Sequence, residues 1–296
     1  LKIKGIRIIW FDNIISKINN CQIYGRGEKK DKPILNILNN FKYMVLFNQI
    51  NGKEFPSKNI EYIEYANDKQ TDIEEYFDKI YILNLERRQD RWNVMKNRLN
   101  SKNITSCIRY IGIDGNLHYY KCQYAKYTKM PFNKYDNLYK RKAIPSSGSW
   151  AILLSMHSLL KDAIKNNYKR ILLLQDDIIF HNDFNNLFKK KINKISENWK
   201  LLYLGASQKK WENIQINREI GYYKPSNTDG AFAVGIDCSI FGILIKEIEK
   251  IQAPFDSGAL QFIQKKYSEQ CFVFFPNIII ADVRDSDCRS YRDINE

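Results

Sequence analysis

The stretch Arg170-Ile171-Leu172-Leu173-Leu174-Gln175-Asp176-Asp177 constrains the fold more than any other in the chain. Its four apolar residues are continuous, not alternating. That pattern reads as a strand buried on both faces, which belongs to a sheet covered by helices on each side. A helix feeds it directly. After Pro145-Ser146-Ser147-Gly148, residues Trp150, Leu153, Leu154, His157, Leu160 and Ile164 recur at helical spacing. The same alternation begins earlier. Lys79–Leu85 reads as a buried strand, Trp92, Met95 and Leu99 as a helix face, and Cys107–Ile113 as a second strand ending in Asp114-Gly115.

Later segments continue the alternation. Strands are predicted at Lys200–Leu204, Phe232–Ile236 and Cys271–Phe275, with helices from Ser239 to about Lys250 and from near Ser257. Residues 116–147 are Tyr- and Lys-rich and read as a long loop with one or two short helices. Alternating strands and helices imply an α/β domain with a mostly parallel sheet. Asn67–Asp72 is a polar linker, and Thr71 or Asp72 is suited to cap a short helix through Phe77. The predicted division is therefore 1–70, a small N-terminal α/β accessory region, and 71–296, the main domain. Within the first, Tyr24-Gly25-Arg26 and Phe41-Lys42-Tyr43 faintly resemble half of a fucosyltransferase-type nucleotide domain, which implies a remnant without a site of its own.

Composition excludes several classes. Of 296 residues, 44% are hydrophobic and 27% charged, which rules out a largely disordered chain. No apolar run approaches the roughly 18 residues of a membrane span, and no signal-peptide pattern is visible. The expected compartment is the cytoplasm, with attachment at a membrane surface as the variant. The formal charge of +14 favours anionic partners, but nothing beyond that charge points to nucleic acid, and none is expected. The Lys189–Lys191 run reads as a wet helix face. The six cysteines form no C-x-x-C pair and no zinc spacing, so they read as reduced packing residues.

Chemistry centres on Asp176 and Asp177. In an open α/β sheet, ligands bind outside the carboxyl ends of the strands. Two carboxylates in one crevice repel unless a cation lies between them. Oxygen-only ligation suits Mg²⁺ or Mn²⁺, which pair one or two carboxylates with substrate phosphates. The opposing reading is a solvated Asp-Asp turn.

Six short segments, in order, resemble glycosyltransferase family 25, which contains lipooligosaccharide and collagen galactosyltransferases. Ile80–Arg91 is similar to the opening "I-x-L-x-R-R-x-D-R", Arg109–Gly115 to "A-V-D-G", and Gly148–Ser155 to the "G-x-x-G-C-x-x-S-H" helix. Leu172–Asp177 is similar to "L-x-L-E-D-D", Tyr203-Leu204-Gly205 to "Y-L-G", and Pro254-Phe255-Asp256 to "P-x-D". Two positions depart: Gln175 stands where the family has Glu, and Met156 where it has His. His157, one residue on, is about 100° around the helix and reads as a satisfied core residue.

The resemblance implies a GT-A type, Rossmann-like mixed sheet with flanking helices. It also implies inverting, metal-dependent transfer of galactose or glucose from a UDP-sugar to a hydroxyl on a glycan or protein. Asp177 and Asp176 would meet Mn²⁺ or Mg²⁺, with Asp285 or Asp287 of the charged tail as further ligands. Ile82, Asn84, Arg87, Arg91, Asp114 and Asp176 would line the nucleotide, and Arg284 would meet a phosphate. Asp256 would be the base, with Asp229 as its rival. The alternative is a catalytically silent, glycosyltransferase-like binding module. Oligomeric state is left open.

Overall fold

The computed structural model describes residues 71–282 except Lys209, Asn213 and Ile220, together with a short antiparallel strand pair, Lys2–Ile3 with Ile6–Arg7. The expected accessory region and the tail residues Arg284, Asp285 and Asp287 otherwise lie outside the described residues.

The eight strands of the central sheet are β1 (Lys79–Leu85), β2 (Cys107–Gly112), β3 (Arg170–Gln175), β5 (Leu201–Ser207), β6 (Ile216–Asn217), β7 (Tyr222–Tyr223), β8 (Asp229–Asp237) and β9 (Cys271–Phe274). They lie in the order β2-β1-β3-β8-β5-β9-β7-β6. β1 pairs in parallel with β2 and β3, and β5 with β9. β8 runs antiparallel between β3 and β5, so the sheet is mixed, as expected of the fold class. A small antiparallel pair, β4 (Ile178–Phe180) with β10 (Ile279–Ala281), sits beside it.

Period-two alternation divides the apolar residues between two cores. Tyr81, Leu83, Ile171 and Leu173 face one, while Ile80, Ile82, Leu172 and Leu174 face the other. The first core is covered by α5 (Ser147–Lys165), α7 (Phe241–Glu249) and α8 (Gln261–Lys266). The second is covered by α1 (Asp72–Tyr76), α2 (Gln89–Asn100) and α6 (Phe184–Ile192). Each fully buried Leu, Ile or Phe contributes roughly 1.5–3 kcal/mol of transfer free energy. Continuous apolar runs in β1 and β3 therefore follow from their position between two helical layers.

Local signals set the helix starts. Thr71 and Glu74 form a reciprocal capping box at α1, as the polar linker implied. Ser146 accepts from the Ser149 amide at the start of α5. The buried face of α5 is rotated from the expected stripe. Trp150, Leu153, Met156, Leu160 and Ala163 are buried, whereas Ile164 is exposed. His157 is not a core residue. It is half-buried, and its Nε2 lies 3.0 Å from Glu249 Oε1 on α7.

Residues 116–147 hold two short helices, as the sequence suggested: α3 (His118–Thr128) and α4 (Lys134–Tyr139). The helix expected near Ser257 begins as a π turn, Asp256–Leu260, before α8. Among the described residues no helix is long and apolar enough to cross a membrane. The described cysteines, Cys107, Cys122, Cys238 and Cys271, are free thiols.

Candidate functional site

A cleft opens at the carboxyl ends of β1, β2 and β3. Three parallel strands deliver their last residues to it: Leu83 to Leu85, Gly112 to Asp114, and Gln175 to Asp177. The start of α5 supplies Gly148, Ile152 and Ser155 as the opposite wall.

Asp176 and Asp177 are adjacent but have different surroundings. Asp176 is buried, and each of its oxygens has a partner. Asn84 Nδ2 donates to Oδ2 at 2.6 Å, and Arg91 Nη1 donates to Oδ1 at 3.0 Å. Asn84 is itself held, its Oδ1 accepting from Arg109 Nε at 2.8 Å. Arg109 in turn lies 5.2 Å over the Trp92 ring.

Asp177 has no such support. Its Oδ1 is closed off from solvent and has no hydrogen-bond partner. Burial pushes its carboxyl pKa up to about 7. Arg91 opposes the rise, and the negative charges of Asp176 and Asp282 add to it. The Asp282 amide donates to the Asp177 carbonyl at 2.6 Å, and Arg98 lies 3.7 Å from the Asp282 carboxylate. Burial alone would lower the Arg91 pKa, but Asp177 and Asp176 outweigh it and the guanidinium is held above its ordinary value. The rim therefore holds three carboxylates against two arginines, and Asp177 Oδ1, closed off from solvent, accepts no hydrogen bond.

The arginines of the "R-R-x-D-R" segment have separate tasks. Arg87 Nε donates to Asp114 Oδ2 at 2.6 Å, Arg88 pairs with Asp90, and Arg91 reaches Asp176. The Arg88 contact holds the Asp90 carboxyl down at about 2. Asp114 also closes its own turn, Oδ1 accepting from the Asn116 amide at 2.9 Å.

Ser155 Oγ on α5 accepts from the Ile113 amide at 2.8 Å and donates to Ala151 O. That bond docks the β2 loop against the helix. Gly115 makes the approach possible, since a Cβ there would lie 2.3 Å from Ser147 O and 2.7 Å from Gly148 N. Both are backbone atoms that cannot swing away. Gly115→Ala is expected to move the loop off α5 and to destabilise the fold by about 1–3 kcal/mol, as overpacking does. A urea titration checks it.

Of the expected nucleotide residues, Asn84, Arg87, Arg91, Asp114 and Asp176 line the cleft together with Asp177. Ile82 does not. It points into the core beneath the sheet, and β1 meets the cleft only through the residues after it, Leu83, Asn84 and Leu85. Asp229 and Asp256 are not among the lining residues. Both belong to the same rim, because β8 runs antiparallel to β3 with Ala233 opposite Leu174 and so begins beyond β3's carboxyl end. Asp256 accepts from the Gly230 and Ser257 amides at 3.3 and 2.8 Å, and Asp229 accepts from Gln261 Nε2 at 2.8 Å.

Sequence reading missed Ser155, Arg98 and Asp282. Asp282 had a signal in the charge that follows the apolar Ile278–Ala281 run. Arg98 had none.

The profile of glycosyltransferase family 25 (LPS biosynthesis protein) matches residues 77–229, which include every residue lining this cleft. The chain belongs to glycosyltransferase family 25. Within this family 25 chain, a stretch of 140 residues is 28% identical to procollagen galactosyltransferase 2 of Homo sapiens. The match covers 45% of this chain and 21% of that relative. Among solved structures, mannose-1-phosphate geranyltransferase from Thermus thermophilus aligns over 70% of this chain and 76% of its own, at 11% identity and a TM-score of 0.28.

Proposed function

We propose that the protein transfers a hexose, galactose or glucose, from a UDP-sugar to a hydroxyl of a glycan or protein acceptor, in a GT-A type site with a bound divalent cation. The observation that carries this reading is Asp177 at the cleft, half-buried, with its Oδ1 closed off from solvent and accepting no hydrogen bond. Among the described residues no group of three or more His, Cys, Asp or Glu side chains is arranged to hold a metal. One carboxylate plus diphosphate oxygens is nevertheless a sufficient set for Mg²⁺, and similar in kind for Mn²⁺. Asp177 fits that role, and Asp176 acts behind it by fixing Arg91. Asp285 or Asp287, with Arg284, would complete the site from the tail.

When bound, the cation would neutralise charge on the leaving diphosphate. The chain's own residues do the rest. Arg87 and Arg91 face the phosphates, Leu83 and Leu85 pack against the base or ribose, and Asp114 accepts from a ribose hydroxyl. Asp256, or Asp229 beside it, takes the proton of the acceptor hydroxyl as its oxygen bonds to the anomeric carbon. The bond from that carbon to the diphosphate oxygen breaks, and UDP departs with the electron pair. Attack from the face opposite the diphosphate inverts the centre.

Saturation with Mn²⁺ and UDP, at about 100 times the dissociation constant, is expected to stabilise the protein by roughly 2.7 kcal/mol. Incubation with a panel of UDP-, GDP- and CMP-sugars, with released nucleotide measured, then identifies the donor. Absence of stabilisation by every nucleoside diphosphate with metal overturns the reading. A second reading, a catalytically silent binding module, is favoured by Met156. It is sealed in the core, where the family pattern has a histidine. Donor binding without turnover for any acceptor supports that module.

A further inference from the structure

The described surface carries ten exposed large apolar side chains, and six of them fall between Leu117 and Tyr139. Single exposed apolar residues are ordinary, but a cluster of this kind marks an interaction surface. Leu117, Met130 and Leu138 are 56%, 60% and 72% exposed, and Tyr119, Phe132 and Tyr139 join them. The same segment bears exposed Lys121, Lys126, Lys129, Lys134, Lys140 and Arg141. Its only acid, Asp136, is buried and ion-paired with Lys142 at 3.0 Å.

The segment is also held rigidly. Tyr120, Tyr124 and Tyr127 turn the inner face of α3 onto the core. Tyr124 donates to Ile144 O, Asn133 caps α4, and Asn133 Nδ2 donates to Gln252 O. The outward face is therefore a fixed, cationic and apolar surface. It follows directly on Gly115 and Asn116, which line the cleft.

We propose that residues 117–141 form a docking face for an anionic lipid bilayer, which holds the cleft's mouth beside the membrane. Basic side chains around protruding Leu, Met and aromatic tips match a negatively charged interface with an apolar interior. Nucleic acid would reward the charges but not the exposed leucines and methionine. The proposal stands apart from the donor chemistry, since none of its cations lines the cleft.

Co-sedimentation of the full chain with phosphatidylcholine vesicles, with and without phosphatidylglycerol, tests it. The chain is expected to sediment with the anionic vesicles only, and less so as salt rises. Lys126→Gln with Lys129→Gln should weaken that partition about 25-fold, at roughly fivefold per charge near the surface. Leu138→Asp should weaken it about tenfold. All three positions are exposed, so unchanged thermal unfolding and unchanged UDP binding verify that the variants are folded. Equal sedimentation with neutral vesicles, no sedimentation with either, or partition untouched by the substitutions overturns the proposal. Binding of RNA or of an acidic saccharide through these residues, without vesicle binding, overturns it as well.

Discussion

Asp177→Asn is expected to make the protein more stable at pH 8 and to abolish its response to Mn²⁺ with UDP. In the unfolded chain the Asp177 carboxyl titrates near 3.8, and in the fold near 7. Between those values folding takes up a proton, so stability falls as pH climbs from about 4 to 7 and stays at the lower level above. At about 1.4 kcal/mol for each tenfold, the buried charge costs on the order of 4 kcal/mol above pH 7. Asparagine removes that cost. Its melting temperature at pH 8 should exceed the parent's by several degrees, and the difference should close toward pH 4. A cation would reverse the logic, because it competes with the proton for Oδ1. Affinity for Mn²⁺ in the presence of UDP should rise about tenfold per pH unit from 5 to 7 and level off beyond. Calorimetry over that range reads the slope. A D177N protein that is less stable than the parent at pH 8 would show that the carboxylate is paired in solution, and would remove the basis for a cation there.

Burial accounts for what the sequence could and could not disclose. β1 and β3 were legible because burial on both faces leaves unbroken apolar runs. β4 and β10, three residues each, are too short for any period to register. α6 carries Phe184, Phe188 and Ile192 at helical spacing on its buried face, but Lys189–Lys191 dominates its appearance as sequence. Gly205 of "Y-L-G" reads as a motif, and its reason is packing: a Cβ there would lie 1.9 Å from Ile279 O.

The site was half legible. Carboxylates at a strand's carboxyl end locate a crevice, and family resemblance supplies the arginines. Which of two neighbouring aspartates is held and which is left open depends on long-range partners. Asn84 and Arg91 lie 92 and 85 residues from Asp176, and no local pattern encodes those contacts. Ile82 illustrates the same limit. It shares its face of β1 with Asn84, and the cleft meets Leu83, Asn84 and Leu85 at the strand's end while Ile82, two residues deeper, stays in the core.

Arg91→Leu is the substitution expected to be most damaging to the fold of this rim. Arg91 and Asp176 are both largely buried, with side-chain exposures of 14% and 10%. Removing one partner of a buried pair leaves the other charge uncompensated, at about 3–5 kcal/mol. Asn84 would still donate to Asp176 Oδ2, but Oδ1 would lose its cation. Asp177 would lose the positive charge that most restrains its pKa, so its carboxyl should titrate higher still. The R91L protein should therefore unfold at markedly lower urea at pH 8 and recover part of the loss as pH falls and the carboxylates protonate. Adding Asp176→Asn removes the stranded charge. The double variant should be more stable than R91L alone, with a coupling of about 1–3 kcal/mol in the cycle. Additive losses would mean that Arg91 stabilises the rim through its packing and not through Asp176. Activity separates the two roles of the pair. The double variant regains folding but still lacks the guanidinium that we propose faces the diphosphate, so its KM for the donor should stay raised while its urea midpoint returns toward the parent's.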